Sequence, residues 1–194
     1  MMLGTNKGSK ETGKRIPKNS IGVELGVWRG DSSEIFLQRA KHIYLVDTWS
    51  LEPYQKDSNE HGNYDEYVNK YFKIVKSRNP KDFQKYYDDV YMSVVKRFAG
   101  KPVTIHRCTT DEFFNNFVEK VDWVYVDALH SFEGCLSDLR NSLKILKPNG
   151  IIFGDDYGNK PGVVKALDTF VRETNLVLNN FYKTQYEVKL NASI

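Results

Sequence analysis

The chain has few cysteines and no long apolar run. Only two of its 194 residues are cysteine, Cys108 and Cys135, and they lie far apart with no metal-binding spacing. A disulfide framework is therefore not expected, and a reducing compartment fits the composition. No apolar stretch approaches the ~18 residues that span a bilayer, and the first residues carry no apolar signal segment. We expect a cytoplasmic protein with no membrane partner.

Positive charge is also scarce over most of the chain. The formal net charge of +3 comes from residues 1–20, where five basic residues face the single acid Glu11. The remainder has no basic excess, so we expect no nucleic-acid partner. The simplest interpretation of residues 1–19 is a mobile basic tail, and the alternative is a flap that orders over a bound ligand.

Short apolar runs alternate with amphipathic stretches, which predicts an α/β domain over residues 20–194 with a mostly parallel sheet. The predicted strands are 21–25, 42–46, 103–107, 121–126, 151–153, 176–178 and 186–190. Helices are expected over about 31–41, 133–146 and 162–174. The first of these begins with Asp31-Ser-Ser-Glu34, which resembles a capping box.

Residues 50–100 are too many for a simple connection between two parallel strands and predict a helical insertion. Two helices are expected in it, over about 64–76 and 81–98, with Pro80 near the start of the second. Tyr64, Tyr67 and Tyr71 share one face of the first helix. They belong either to the core or to an aromatic lid over the active site.

Glycines and acids follow the predicted strands at the sheet edge where parallel α/β domains bind ligands. Gly26 and Gly30 follow the first strand, and Asp47 ends the second, where its carboxylate can accept ribose hydroxyls. The turn lacks the G-x-G-x-x-G spacing of pyrophosphate-binding loops. Glu24 precedes it and suits a ligand with a positive amino group and a sulfonium. These features favour S-adenosylmethionine (SAM) over a dinucleotide.

The segment Gly22-Val-Glu-Leu-Gly-Val-Trp-Arg-Gly-Asp-Ser-Ser33 resembles the first motif of class I SAM-dependent methyltransferases with an E-x-G-x-x-x-G-x-S turn. The resemblance implies a Rossmann-like three-layer sandwich of about seven strands, the last antiparallel. It also implies a set of cofactor-binding residues. Glu24 and Gly26 would line the methionine end, Asp47 would bind the ribose, and Thr109, Thr110 and Asp111 would surround the adenine. The set also includes Gly30, Ser32 and Asp127.

Three further acids end neighbouring strands: Asp127, Asp155 and Asp156. Carboxylates that converge raise one another's pKa, and a divalent cation such as Mg2+ or Mn2+ would relieve the conflict. His130 lies close enough in sequence to Asp127 to act as a general base on a hydroxyl. The alternative for His130 is a helix N-cap or a core histidine.

The blocks 126–134 and 146–157 resemble the Methyltransferase 24 or macrocin O-methyltransferase-like branch, whose members methylate sugars of natural products. By this resemblance Asp127, Asp155 and Asp156 bind metal, and Asp127 and His130 are catalytic. The expected function is O-methylation of a sugar or small-molecule hydroxyl.

Several alternatives stay open from the sequence. The acceptor could be a phenol, a catechol or a polysaccharide. The chain could also bind SAM without catalysis, or be a dinucleotide-dependent oxidoreductase. A homo-oligomer is possible because aromatic-rich insertions often form interfaces.

Overall fold

A computed structural model describes residues 7–51 and 64–190. The helices are α1 (Lys7–Arg15), α2 (Asp31–Phe36), α3 (Tyr64–Val75), α4 (Pro80–Phe98), α5 (Thr110–Asn116), α6 (Phe132–Ile145) and α7 (Pro161–Thr174). The strands are β1 (Ser20–Leu25), β2 (Ala40–Asp47), β3 (Val103–Arg107), β4 (Val121–Val126), β5 (Leu146–Gly154), β6 (Val177–Tyr182) and β7 (Gln185–Lys189).

The strands form one seven-stranded sheet in the order β3-β2-β1-β4-β5-β7-β6. Strands β1 to β5 pair in parallel, and β7 runs antiparallel to both β5 and β6. The predicted mostly parallel sheet with an antiparallel last strand is confirmed. The strand order reverses between β1 and β4, which places the ligand-binding point of such sheets there.

Alternate residues along the strands enter two separate hydrophobic clusters, one on each face of the sheet. On β4, Val124 packs with α6 and α7, whereas Trp123 packs with α2 and α4. On β2, Val46 and Leu45 divide in the same way. Side chains of a strand point to opposite faces in turn, so helices cover both faces and the domain has three layers.

The helix starts differ in part from the predicted ones. Pro80 lies in the first turn of α4 behind the N-cap Asn79, as expected. The Asp31–Glu34 capping box is wrong, because α2 begins after Gly30 with no side-chain cap. The two carboxylates instead bind Arg97 of α4, at 2.6 Å and 2.5 Å. The capping-box pattern considers only neighbouring residues, whereas Arg97, which binds these two acids, is more than 60 residues away in sequence.

Residues 7–15 form the helix α1 instead of a mobile tail. The inner side of α1 is small and buried, and a Cβ added to Gly13 would lie 2.8 Å from Ile35 Cγ2. Thr12 Oγ1 donates a 2.6 Å hydrogen bond to Gln185 Oε1 on β7. The prediction of a mobile tail was wrong because it considered only the lysine-rich composition of this segment. The small residues between the lysines form the buried face of α1. Residues 1–6 lie outside the described residues.

Helices α3 and α4 occupy the predicted insertion, joined to β3 by a short turn. Tyr71 packs partly buried against the cluster that contains α4, which favours the core interpretation for this residue. The side chains of Tyr64 and Tyr67, and the polar loop around 52–62, lie outside the described residues. Over the parts described, no helix is both long and apolar enough to cross a membrane.

Gly22 on β1 packs directly against the indole of Trp123 on β4, so a larger residue at this position should destabilise the fold. A Cβ there would meet the indole of Trp123 at 2.0 Å, and Trp123 cannot yield easily because its Nε1 donates to Ser20 Oγ at 2.9 Å. We expect Gly22→Ala to lower the free energy of unfolding by about 3 kcal/mol. Gly100→Ala is the control, since nothing lies within 4 Å of its added Cβ. Its left-handed φ of +74° should cost only about 1 kcal/mol.

Denaturant unfolding of the two variants measures both free energies. Equal losses for Gly22→Ala and Gly100→Ala would contradict the packing described between β1 and β4.

Candidate active site

The turn after β1 lies directly against the end of β4. Gly26 has a φ of +85°, and a Cβ at this position would lie 1.9 Å from the carbonyl oxygen of Asp127. Only glycine combines that backbone conformation with such a close approach. The Asp127 N–H in turn donates to the Leu25 carbonyl at 2.9 Å. The turn therefore brings the backbone of Asp127 against the end of β1.

Glu24 is the most unusual residue of β1, because it is a carboxylic acid in the middle of the sheet. It is 1% exposed, and its Oε2 has no hydrogen-bond partner among the described residues. Burial raises its pKa to about 8, helped by Asp127 and Asp47 and opposed by the Ser33 hydroxyl. A buried carboxyl oxygen without a partner is costly, which makes Glu24 a candidate for contact with a ligand.

Asp47 ends β2 as predicted and supports the glycine turn. Its Oδ2 accepts from the Val27 and Trp28 N–H groups at 2.9 Å and 2.8 Å, and its Oδ1 accepts from the Trp49 N–H at 2.8 Å. Burial raises the pKa of this carboxyl, and the backbone N–H groups oppose the rise. Asp47 therefore fixes the turn, whatever it also does for a ribose.

Trp28 and Trp49 were not anticipated as site residues. Both have a left-handed backbone, with φ of 46° and 40°, which is strained for bulky residues. The Trp49 ring is fully buried and its Nε1 donates to the Trp28 carbonyl at 2.8 Å. The sequence could have indicated the hydrogen bond from the Trp49 N–H to Asp47, because the two residues lie two positions apart. It could not have indicated the bond from the Trp49 ring to Trp28, which depends on tertiary structure.

Asp127, His130 and Asp156 converge at the ends of β4 and β5. The Nε2 of His130 lies 3.4 Å from Asp127 Oδ1 and 3.3 Å from Asp156 Oδ2. One ligand atom from each residue falls within 4.8 Å of the others. Burial raises the pKa of Asp127 to about 7, with His130 opposing and Asp155 adding to the rise. Ser131, not His130, is the N-cap of α6.

Asp155 does not join this group in the described structure. Its Oδ1 accepts from the Asp156 N–H at 2.7 Å and from the Thr184 hydroxyl in the turn between β6 and β7. The predicted trio of Asp127, Asp155 and Asp156 is therefore replaced by one that contains His130. The Thr184 contact was invisible in the sequence because 29 residues separate the partners.

The Thr109–Asp111 stretch begins α5, and structural contacts engage its side chains. Thr109 is the N-cap and forms a capping box with Glu112. The Ser137 hydroxyl donates to Asp111 Oδ1 at 3.3 Å. Thr110 lies beside the buried carboxyl of Asp138. The predicted adenine-binding role of this stretch stays a prediction.

The donor set at the acidic cluster fits a divalent cation. Two carboxylate oxygens and an imidazole nitrogen suit Mn2+ and related ions, and the carboxylates alone suit Mg2+. The same two carboxylates also suit an imidazolium between them. The geometry thus allows either a metal or a protonated His130 to balance the charge.

A comparison with protein families gives one decisive match. A family model described as "Methyltransferase domain" matches residues 23–157, which is more than half of the chain and includes Glu24, Asp127 and Asp156. The chain belongs to this methyltransferase family. It is a class I, SAM-dependent methyltransferase, as the first-motif resemblance implied.

Solved structures of other methyltransferases share the fold of this methyltransferase. The O-methyltransferase from Bacillus cereus in complex with S-adenosylhomocysteine (SAH) is 10% identical, with a TM-score of 0.59 over 97% of this chain and 82% of that chain. The O-methyltransferase NovP is 14% identical, with 0.59 over 95% and 78%.

The precorrin-6y C5,15-methyltransferase of Geobacter metallireducens is 11% identical, with 0.63 over 98% and 90%. At these identities the likeness concerns the fold alone. A comparison with curated proteins gave no match for this methyltransferase.

Proposed function

We propose that this methyltransferase transfers the methyl group of SAM to a hydroxyl of a sugar or small-molecule acceptor, with a divalent cation at the acidic cluster. The observation that carries the proposal is the position of Glu24. Its buried, unpartnered Oε2 lies on the strand that precedes the glycine turn, beside Asp127 and Asp47. A cationic amino group or sulfonium would supply the missing partner and charge.

SAM supplies an electrophilic methyl carbon, and a bound cation supplies Lewis acidity. Glu24, ionised against the positive end of SAM, anchors the donor. Asp47 holds the glycine turn in place through the backbone N–H groups of Val27 and Trp28, so that the donor meets a preorganised surface. Asp127 and Asp156 would hold the cation.

His130 is placed to take the proton from the acceptor hydroxyl. In this proposal His130 is not a ligand of the cation. Its Nε2, which lies 3.4 Å and 3.3 Å from the carboxylates of Asp127 and Asp156, takes the proton, and their charge stabilises the imidazolium that forms. Hydroxyl acceptors fit this arrangement, since an oxygen nucleophile needs a base, whereas a sulfide or an ordinary amine needs none of comparable strength.

Chelation tests the cation. We expect EDTA to lower methyl transfer by about a hundredfold, and Mg2+ or Mn2+ to restore it, because the cation stabilises developing alkoxide charge. SAH affinity should not change, since Glu24 does not depend on the cation. Transfer of labelled methyl groups to a panel of sugars, catechols and polysaccharides measures the activity and names the acceptor class.

Full activity in EDTA would show that the cation has no role in catalysis. The base would then be His130, supported by Asp127 and Asp156 alone. No transfer to any acceptor in the panel, with SAH still bound, would contradict catalysis itself.

A further inference from the structure

Helix α1 lies outside residues 23–157 that match the family, yet it reaches the first turn of α2. Ser9 of α1 is fully buried, and its Oγ lies 2.6 Å from Ser32 Oγ. Ser32 is the serine of the E-x-G-x-x-x-G-x-S turn. The next residue, Ser33, lies near Glu24, and its hydroxyl lowers the pKa of that carboxyl. The first turn of α2 thus contacts α1 through Ser32 and lies near Glu24 at Ser33.

The attachment of α1 to the domain is firm at several points. Thr12 donates to Gln185 on β7 at 2.6 Å, and Arg15 Nη1 lies 3.1 Å from Glu187 on the same strand. Ile16, just after α1, is fully buried, and its carbonyl accepts from Arg39 Nε at 2.6 Å. With α1 fixed in this way, the Ser9 hydroxyl has a defined position from which to orient Ser32.

We propose that α1 is part of the cofactor site, and that Ser9 is a positioning residue that aims the Ser32 hydroxyl at the methionine end of SAM. The inference rests on the proposed function. The methionine end is the relevant one because Glu24 and the first turn of α2 adjoin each other. Loss of Ser9 should therefore weaken ligands that carry the amino-acid part and spare those that lack it.

The test compares SAH with methylthioadenosine, which keeps the thioether and the nucleoside but lacks the amino acid. We expect Ser9→Ala to weaken SAH binding about fivefold, the range of one hydrogen bond, and to leave methylthioadenosine binding unchanged. Calorimetry on the full chain gives both dissociation constants. Thermal unfolding of the same samples gives the stability of each variant.

Ser20→Ala is the matched control, because it also removes a buried serine hydroxyl, but one at the start of β1 that bonds to the Pro17 carbonyl and Trp123 Nε1 and does not hold α1. It should lower the melting temperature about as much as Ser9→Ala while the ratio of the two affinities stays at the wild-type value. An unchanged ratio in Ser9→Ala, or equal weakening of both ligands, overturns the positioning role. Failure of the wild-type protein to bind SAH would instead overturn the proposed function, and this inference with it.

Discussion

Replacing Glu24 with Gln is expected to weaken SAM binding about a hundredfold and, at the same time, to stabilise the ligand-free protein at alkaline pH. The loss of affinity follows from removing a charged hydrogen bond to a desolvated cation. The gain in stability follows from removing a buried acid that has no partner on Oε2. Few substitutions at a purely structural position would move the two quantities in opposite directions.

The pH dependence of this variant follows from the pKa of Glu24, which is raised from 4.5 to about 8. Between these values the unfolded chain has released its proton and the folded protein still holds it, so the stability contribution of Glu24 falls as pH rises towards 8. Wild type and Glu24→Gln should therefore melt alike near pH 4. Above pH 8 the variant should melt at the higher temperature.

Binding should show the complementary dependence. The anionic form of Glu24 is the one that pairs with the ligand, so SAM affinity of the wild type should rise from pH 6 towards about 8. Affinity of Glu24→Gln should lack this rise. Calorimetric titrations from pH 6 to 9 measure both curves.

Asp138→Asn provides the control for this experiment. Asp138 is 1% exposed, has no hydrogen-bond partner within the described ranges for either oxygen, and burial raises its pKa to about 7. Its replacement should also stabilise the protein at alkaline pH but keep the wild-type rise of SAM affinity with pH, since Asp138 adjoins Thr110 and not the glycine turn. If Asp138→Asn weakened SAM as much as Glu24→Gln, loss of a buried charge and not a ligand contact would explain the effect.

Replacing His130 with Gln is expected to lower the turnover number about a thousandfold while the SAM dissociation constant stays within twofold of wild type. General-base catalysis accounts for the size of the effect. Glutamine keeps a polar group near Asp127 and Asp156 but cannot take a proton. Single-turnover methyl transfer separates this chemical step from binding.

His106→Gln is the companion variant, since His106 packs edge-on against Phe113 at 5.1 Å, away from the acidic cluster. It should keep the wild-type turnover number. A His130→Gln variant that retained turnover would make His130 a structural residue that only neutralises its two aspartates.

The strand pattern of the sheet was predictable because it is written locally. Short apolar runs predicted β3 and β4 to the residue, and the glycine turn and Asp47 marked the ends of β1 and β2. The ends of β5 were less well defined. The predicted strand covers 151–153, whereas β5 extends from Leu146 to Gly154 in the structure.

The site was predictable only as far as chain order determines proximity. Asp127 and Asp156 end adjacent parallel strands, so their convergence followed from the topology. Two other contacts could not be predicted in this way: the hydrogen bond between Asp155 and Thr184, and the one between Ser9 and Ser32. Each joins segments that are distant in sequence and that no local pattern connects. Likewise, Asp31 and Glu34 were predicted to cap a helix, but in the structure they form ion pairs with Arg97 of the insertion.

A crystal structure of the protein with SAH tests the account most directly. The amino group of SAH should lie about 3 Å from Glu24 Oε2, with the thioether between the glycine turn and Asp127. Bound SAH whose amino group lies away from Glu24, with that carboxyl still unpartnered, would contradict the central claim.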